Sequence, residues 1–280
     1  MTLKELRKEL CSLFQSHNIE SPEADSGLLL MHVLHLNKTQ LLLDNPEISP
    51  DAYQELLHLA NRRIQGEPVR YLTGTCPFMD LEFYVNPATL IPRPDTEVLV
   101  ETVSDYIARQ NRPLTLWDIG CGSGCIGITL AHRHNTLSVM ELDISPMALE
   151  TAERTAKRYG LDDRIQFVHQ DILKGMPEGK PDIIVSNPPY IPTKDIDTLQ
   201  TEVKHYEPRS ALDGGEDGLV FYRHIIRHAP LAPKGLLAFE IGYDQGASVP
   251  SLMQKYGYTN VTLKKDFSGN PRVVFGYFNK

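Results

Sequence analysis

Apolar residues recur three and four apart through three stretches near the start of the chain, "LKELRKELCSLFQSH", "SPEADSGLLLMHVLH" and "SPDAYQELLHLANRRIQG". That period lines one face of an α-helix. The second and third stretches open with Ser-Pro, a cap followed by a proline at the first helical position, and the third stops at Gly66. A small helical bundle is predicted. Over residues 68–94 the pattern breaks into short alternating runs rich in proline, glycine and aromatics, "PVRYLTGTCPFMDLEFYVNPATLIPRP", which predicts a β-hairpin linker. A helix over residues 95–110 follows. Beyond it, apolar runs ("TLWDI", "SVMELDI", "RIQFVHQ", "DIIVSN", "GLLAFEI", "VTLKKD", "VVFGYF") are interleaved with helical ones, among them "SPMALETAERTAKRYG" and "GLVFYRHIIRHAP". Such alternation predicts an α/β fold with a doubly wound, mostly parallel seven-stranded sheet. Only "FSGNPR" separates the last two strands, so one of them is expected to run antiparallel at the end of the sheet. The expected division is a helical domain over 1–72, a hairpin linker over 73–93 and the α/β domain over 94–280.

Composition narrows the partners more than the fold. Twenty-eight Lys and Arg against 36 Asp and Glu leave a formal net charge of -8, which does not favour a protein that grips nucleic acid through counterion release. The helical region to residue 72 is also acidic, with seven basic and ten acidic side chains. No apolar run approaches the roughly 20 residues of a membrane span. The opening "MTLKELRKELCSLFQ" mixes both charge signs on a helical pattern and reads as neither a signal nor a transit peptide. A cytoplasmic location is expected. The four cysteines are scattered, and Cys121 and Cys125 have no further Cys or His at ligand spacing, so they read as small buried thiols and no metal site is expected. The histidines, including His132, His134, His224 and His228, sit at helical spacings without grouped carboxylates.

The first chemical signal is "LWDIGCGSGCIGITLA", which places Asp118, Gly120, Gly122, Gly124 and Gly127 between a strand and a helix. Glycines let the backbone turn sharply, and the following helix N-terminus offers N–H groups to a negative group. Gly122, Gly124 and Gly127 satisfy the dinucleotide spacing G-x-G-x-x-G, with Asp143 lying 21 residues after Gly122. The run from Asp118 equally resembles the cofactor loop of S-adenosylmethionine methyltransferases. On that reading Gly120, Cys121, Gly122, Ser123 and Gly124 form the loop for the amino-acid carboxylate. Asp143 would take the ribose hydroxyls and Asp171 the adenine amino group. Glu141, two residues earlier on the same face, competes with Asp143, which stands nearer the carboxyl end of the strand where open α/β sheets bind ligands. The loop alone does not choose between cofactors.

The second signal is "VSNPPYIP", at the end of the fourth strand of the sheet and beside the first. Asn187, Pro188, Pro189 and Tyr190 match the signature of methyltransferases that act on a nitrogen held in a planar amide or base. A carboxamide nitrogen is a poor nucleophile, because its lone pair is delocalised into the carbonyl. Two acceptors against its N–H bonds would orient it and raise its electron density, and the Asn187 side-chain oxygen and Pro188 carbonyl are the natural pair. Proline brings no competing N–H and keeps the preceding residue extended. Tyr190 is expected to stack on the flat group.

Four segments together, "GEPVRYLTG", "LIPRPDTEVLVE", "VSNPPYIP" and "YEPRSALDGGEDGL", with the closing "DFSGNPRVVFGYF", resemble the HemK/PrmC-type protein-glutamine methyltransferases. The resemblance covers essentially the whole chain. It departs mildly at Asp95, where the family more often has Glu, and at Ile172, where an aromatic is common. It implies a class I, Rossmann-like methyltransferase fold and methylation of the glutamine in the Gly-Gly-Gln loop of peptide chain release factors. The implied methyl donor is S-adenosyl-L-methionine, with S-adenosyl-L-homocysteine as product. It also implies a release-factor grip by the helical domain. A monomer with no direct nucleic-acid partner is expected. Arg93, in "IPRP", would line the pocket mouth and touch substrate or simply pair with an acid, and "EPRSALDGGEDGL" would close over the pocket. The alternative sharing the Asn-Pro-Pro-Tyr chemistry is an adenine-N6 DNA or RNA methyltransferase, which must flip its base out and usually carries a basic recognition region.

Overall fold

The computed structural model describes residues 1–278. The chain forms two units, Met1–Thr75 with Thr201–Tyr206, and Cys76–Gln200 with Glu207–Lys280. The first unit is helical: α1 (Leu3–Ser16), α2 (Pro22–Val33), α3 (Lys38–Leu43), α4 (Pro50–Ile64) and α5 (Val69–Thr73), joined by a segment from far later in the chain, α9 (Thr201–Tyr206). Thr2 and Glu5 cap α1 reciprocally, and the Ser49 hydroxyl accepts from Ala52 N at the start of α4. Leu3, Leu6, Leu10 and Phe14 of α1 pack with Leu29, Leu30, Leu56 and Leu59 in one apolar core. Apolar periodicity did not reveal α3, whose six residues are too few to display one, or α5, which ends at Gly74 in the left-handed conformation (φ +71°). The hairpin therefore begins after α5 and Gly74, at Thr75 and not at residue 68.

The second unit opens with a hairpin, β1 (Thr75–Phe78) and β2 (Leu81–Tyr84), turning at Met79 and Asp80. It is not a free connector. Phe78, Leu81 and Phe83 belong to the main core of the unit, and Glu82 N and Tyr84 N donate to the Tyr159 and Thr155 hydroxyls at 2.8 and 3.2 Å. Apolar side chains on a two-stranded ribbon have to be buried somewhere, and here a helix face covers them.

The large sheet comprises β3 (Leu114–Ile119), β4 (Leu137–Asp143), β5 (Ile165–His169), β6 (Ile183–Ser186), β7 (Leu236–Glu240), β8 (Tyr258–Lys265) and β9 (Pro271–Phe278), in the order β5-β4-β3-β6-β7-β9-β8. Strands β3 to β7 pair in parallel, and β9 is antiparallel to both its neighbours. The antiparallel strand thus lies inside the edge, not at it. The outermost strand is β8, whose half-buried Lys264 and exposed Lys265 suit a strand with an open side. Helices α6 (Glu97–Ala108), α7 (Cys125–Arg133) and α8 (Pro146–Arg158) cover one face, and α10 (Val220–His228) and α11 (Ser248–Lys255) the other. Side chains alternate between two cores accordingly. Leu116, Ile183, Val185 and Ala238 face the first, while Trp117, Ile184, Leu237 and Phe239 face the second. Among the described residues no helix is long and apolar enough to cross a membrane.

The topology has one switch point. Strands β4 and β5 build outward on one side of β3, whereas β6 returns to its other side. The loops after β3 and β6 therefore part over a crevice at the carboxyl ends of adjacent strands. Ile119 and Ser186, the last residues of those strands, are in register, and the Ser186 hydroxyl donates to Ile119 O at 2.6 Å.

Candidate active site

The glycine loop is held by its neighbour strand. Gly120 N and Cys121 N both donate to Leu142 O, at 2.7 and 3.1 Å, and Gly122 N donates to Asp143 Oδ2 at 2.9 Å. Gly120, Gly122 and Gly124 have φ of +72°, +56° and +76°, a region that side-chain-bearing residues rarely occupy. Helix α7 starts at Cys125 with no side-chain cap, and Ser123, Cys125 and Ile126 line the cavity in front of it. Gly124 does not line that cavity. Its α-carbon is turned toward Ile128 and Ala152, so it serves the turn and the close packing of α7.

Asp118 and Glu141 stand opposite each other on β3 and β4, both buried. Asp118 Oδ2 accepts from Gly127 N at 3.0 Å and so secures the first turn of α7. A Cβ on Gly127 would fall 2.2 Å from Glu141 Oε1, which explains the glycine there. Burial, followed by the neighbouring Asp118 charge, pushes the Glu141 carboxyl well up, and Asp118 is raised to about 7, mainly by burial. Two carboxyls in contact away from water are best satisfied by sharing a proton. Glu141 is therefore a core group, whereas Asp143 lines the cavity. The Asp143 carboxylate is fastened by Gly122 N and by Ser145 N (2.8 Å), and burial raises its pKa against the lowering effect of these bonds.

The other wall is apolar, with Ile144, Ile172, Leu173, Phe221 and Ile225. Asp171 lines the cavity beside them, accepting from Leu173 N at 3.1 Å and pairing with Lys174. Cys121 and Cys125 are buried free thiols with pKa values pushed well up by burial. No cluster of metal-ligand type occurs among the described residues.

Asn187, Pro188 and Pro189 line the same cavity across from the glycine loop. The Asn187 amide nitrogen donates to Thr96 Oγ1 at 3.5 Å. Tyr190 is not on the cavity wall. It packs against the core behind the site, its hydroxyl pKa is pushed to about 12 by burial, and its carbonyl accepts from Gln245 Nε2 at 3.2 Å. Arg93 both lines the cavity and pairs with the buried Glu207, whose other oxygen accepts from Ile91 N at 3.3 Å. Ser210, Ala211 and Asp213 complete the rim, and Ile191 N and Gly214 N bond Leu212 O and Ile191 O, fastening the 207–219 loop to the chain just after Tyr190.

Four residues that sequence reasoning passed over also shape the site: Thr96, Glu207, Glu240 and Gln245. Gln245 bridges three loops, donating to Tyr190 O and Gly218 O and accepting from Gly242 N at 3.0 Å. The one available signal was at Glu240. An acid at the carboxyl end of a strand buried on both faces is the same cue that singled out Asp143.

Residues 94–232 match the "Methyltransferase small domain" model and residues 5–74 the "PrmC N-terminal domain" model. A release factor glutamine methyltransferase from Clostridium botulinum is 39% identical over 280 residues, covering 98% of each chain. The chain belongs to the release factor glutamine methyltransferase family. A family member from Moorella thermoacetica is 40% identical over 99% of each chain. The fold alone is shared more widely. A methyltransferase structure from Pyrococcus furiosus superposes with a TM-score of 0.53 at 18% identity, over 83% of this chain and all of that one.

Proposed function

We propose that the chain methylates the side-chain amide nitrogen of a release-factor glutamine, the glutamine of the Gly-Gly-Gln motif, with S-adenosyl-L-methionine as donor. The observation that carries this is the meeting of Asn187-Pro188-Pro189 with the glycine loop and Asp143 across one cavity in a chain of this family. S-adenosyl-L-methionine supplies a methyl group on a positively charged sulfur, a good leaving group. The residues present fit it. The uncapped start of α7 suits its carboxylate, Asp143 its ribose hydroxyls, and the wall of Ile144, Ile172 and Leu173 with Asp171 its adenine.

Asn187 Oδ1 and Pro188 O would then accept the two N–H bonds of the glutamine amide. That pins the amide in one plane and turns its nitrogen toward the donor, so positioning is the main catalytic term. The surplus proton can leave after transfer, and no base is required. Tyr190, held from behind, would shape the rear of this subsite, and Arg93 its mouth. The helical unit would hold the body of the release factor, and methylation of the loop glutamine would modulate translation termination. We take the monomer as the working form. Mass spectrometry of a release factor incubated with enzyme and donor tests the proposal. One added methyl group on the Gly-Gly-Gln glutamine is expected, and labelled DNA or RNA with unmodified release factor would refute it.

A further inference from the structure

Behind Asn187, at the end of β7, lies a buried carboxylate that the chemistry above does not use. Glu240 is 2% exposed, and its Oε2 has no hydrogen-bond partner. The Asn187 amide nitrogen beside it donates to Thr96 Oγ1 at 3.5 Å, and both Thr96 and Asn187 act to lower the Glu240 pKa, favouring its ionised form. Ser186, the residue before Asn187, pairs in register with Phe239, the residue before Glu240, so the two side chains emerge together where β6 and β7 end. The Tyr222 hydroxyl donates to Glu240 O at 2.8 Å and fixes that strand end.

We propose that Glu240 is a positioning residue that sets which way round the Asn187 carboxamide lies. The inference rests on the proposed amide methylation. A carboxylate only accepts hydrogen bonds, and a carboxamide presents a donor on one side and an acceptor on the other. With Glu240 ionised, the Asn187 Nδ2 edge is drawn to Glu240 and Thr96. Oδ1 is left facing the cavity, where the substrate N–H has to be accepted. A donor in place of Glu240 would favour the opposite orientation and present Nδ2–H to the substrate N–H, two donors face to face.

The surroundings of Glu240 favour a group that titrates in the working range. Burial raises its pKa to about 7 against the lowering effects of Thr96, Arg272 and Asn187, with Asp95 adding to the rise. The groups facing it are Asp95 and Thr96 before α6, Cys125 on α7, Asn187 and Tyr190 after β6, Tyr222 on α10 and Arg272 on β9. Arg272 is itself committed to Asp95 and Asp266, at 3.0 and 3.2 Å.

The test is a double-mutant cycle of Asn187→Ala with Glu240→Gln, read as kcat on intact release factor with cofactor affinity measured in parallel. Glu240→Gln is expected to lower kcat by about tenfold or more with cofactor affinity within about twofold, and the double variant should be no slower than Asn187→Ala alone. The wild-type kcat should also rise with pH through the region of Glu240 ionisation, a limb absent from E240Q. Losses that multiply, or an unchanged kcat in E240Q, would overturn the proposal. A wild type that leaves release factor unmodified would instead overturn the function on which it rests. Should E240Q not fold, Thr96→Val removes the hydroxyl to which Asn187 Nδ2 donates. A kcat loss absorbed by Asn187→Ala supports the proposal, and a multiplying loss refutes it.

Discussion

At the residue scale, the proposed function divides the work between the two halves of the cavity, and their variants should separate. On the proposed mechanism, Asn187→Ala removes the acceptor that holds one amide N–H while the nitrogen is alkylated. A fall in kcat of about 100-fold or more is expected with cofactor affinity little changed, by analogy with loss of one preorganised hydrogen-bonding group. Asp143→Ala should show the opposite pattern. Cofactor affinity should weaken by about tenfold or more, the scale of a lost hydrogen bond to a charged group, with a smaller effect on kcat at saturating donor. Calorimetry with donor or product, set beside steady-state rates, checks both. Gly127→Ala tests the packing beneath the loop. Its methyl would meet Glu141 Oε1 at 2.2 Å, so a loss of about 1–3 kcal/mol in denaturant unfolding is expected. The cavity-lining character of Asn187, Pro188, Asp143 and Asp171 was legible because each ends a strand, or follows one within two residues, whose apolar run was visible. Thr96, Glu207 and Gln245 were not legible, because their partners lie 91, 116 and 55 residues away and no local pattern encodes such separations.

At the element scale, periodicity found every long helix and all seven strands of the large sheet but missed what packing alone decides. The β1–β2 hairpin carried a correct strand pattern, yet its burial against α8 depends on Tyr159 and Thr155, which its own sequence does not name. Helix α9 is a sharper case. Six residues embedded in the second half of the chain join the N-terminal bundle, where Glu202 pairs with Arg63 of α4. Arg63 is 3% exposed and also bonds Asp25 of α2 at 2.6 Å, a buried cation with two acidic partners. Asp25→Asn should destabilise the protein by about 3 kcal/mol or more, the usual cost of stranding one member of a buried pair. Asp25→Leu combined with Arg63→Met should cost less than the single change. Urea unfolding of the two variants distinguishes these outcomes, and a single-variant loss smaller than that of the double would contradict the account.

At the scale of the whole molecule, buried carboxyls make stability depend on pH. The Asp118–Glu141 pair and Glu240 all have pKa values raised on folding, chiefly by burial. Such groups hold protons in the folded state that the unfolded chain has released. Their contribution is therefore complete below the ordinary carboxylate range near 4 and is lost as pH rises toward about 7 and beyond. Unfolding free energy measured from pH 5 to pH 8 should fall with pH, and Glu141→Gln should flatten the slope. A steeper slope in that variant would refute the shared-proton assignment. The sequence by itself determined the fold class, the strand at whose end each major motif sits, and the residue types suited to amide methylation. These follow from short-range periodicity and from side-chain chemistry, both of which are local. Only the tertiary structure decided that Asp143 and not Glu141 reaches the cavity, that Tyr190 stands behind the wall, and that Glu240 backs Asn187. Those facts depend on which face of a strand is covered and which strand ends are neighbours, and burial and register are properties of the packed sheet.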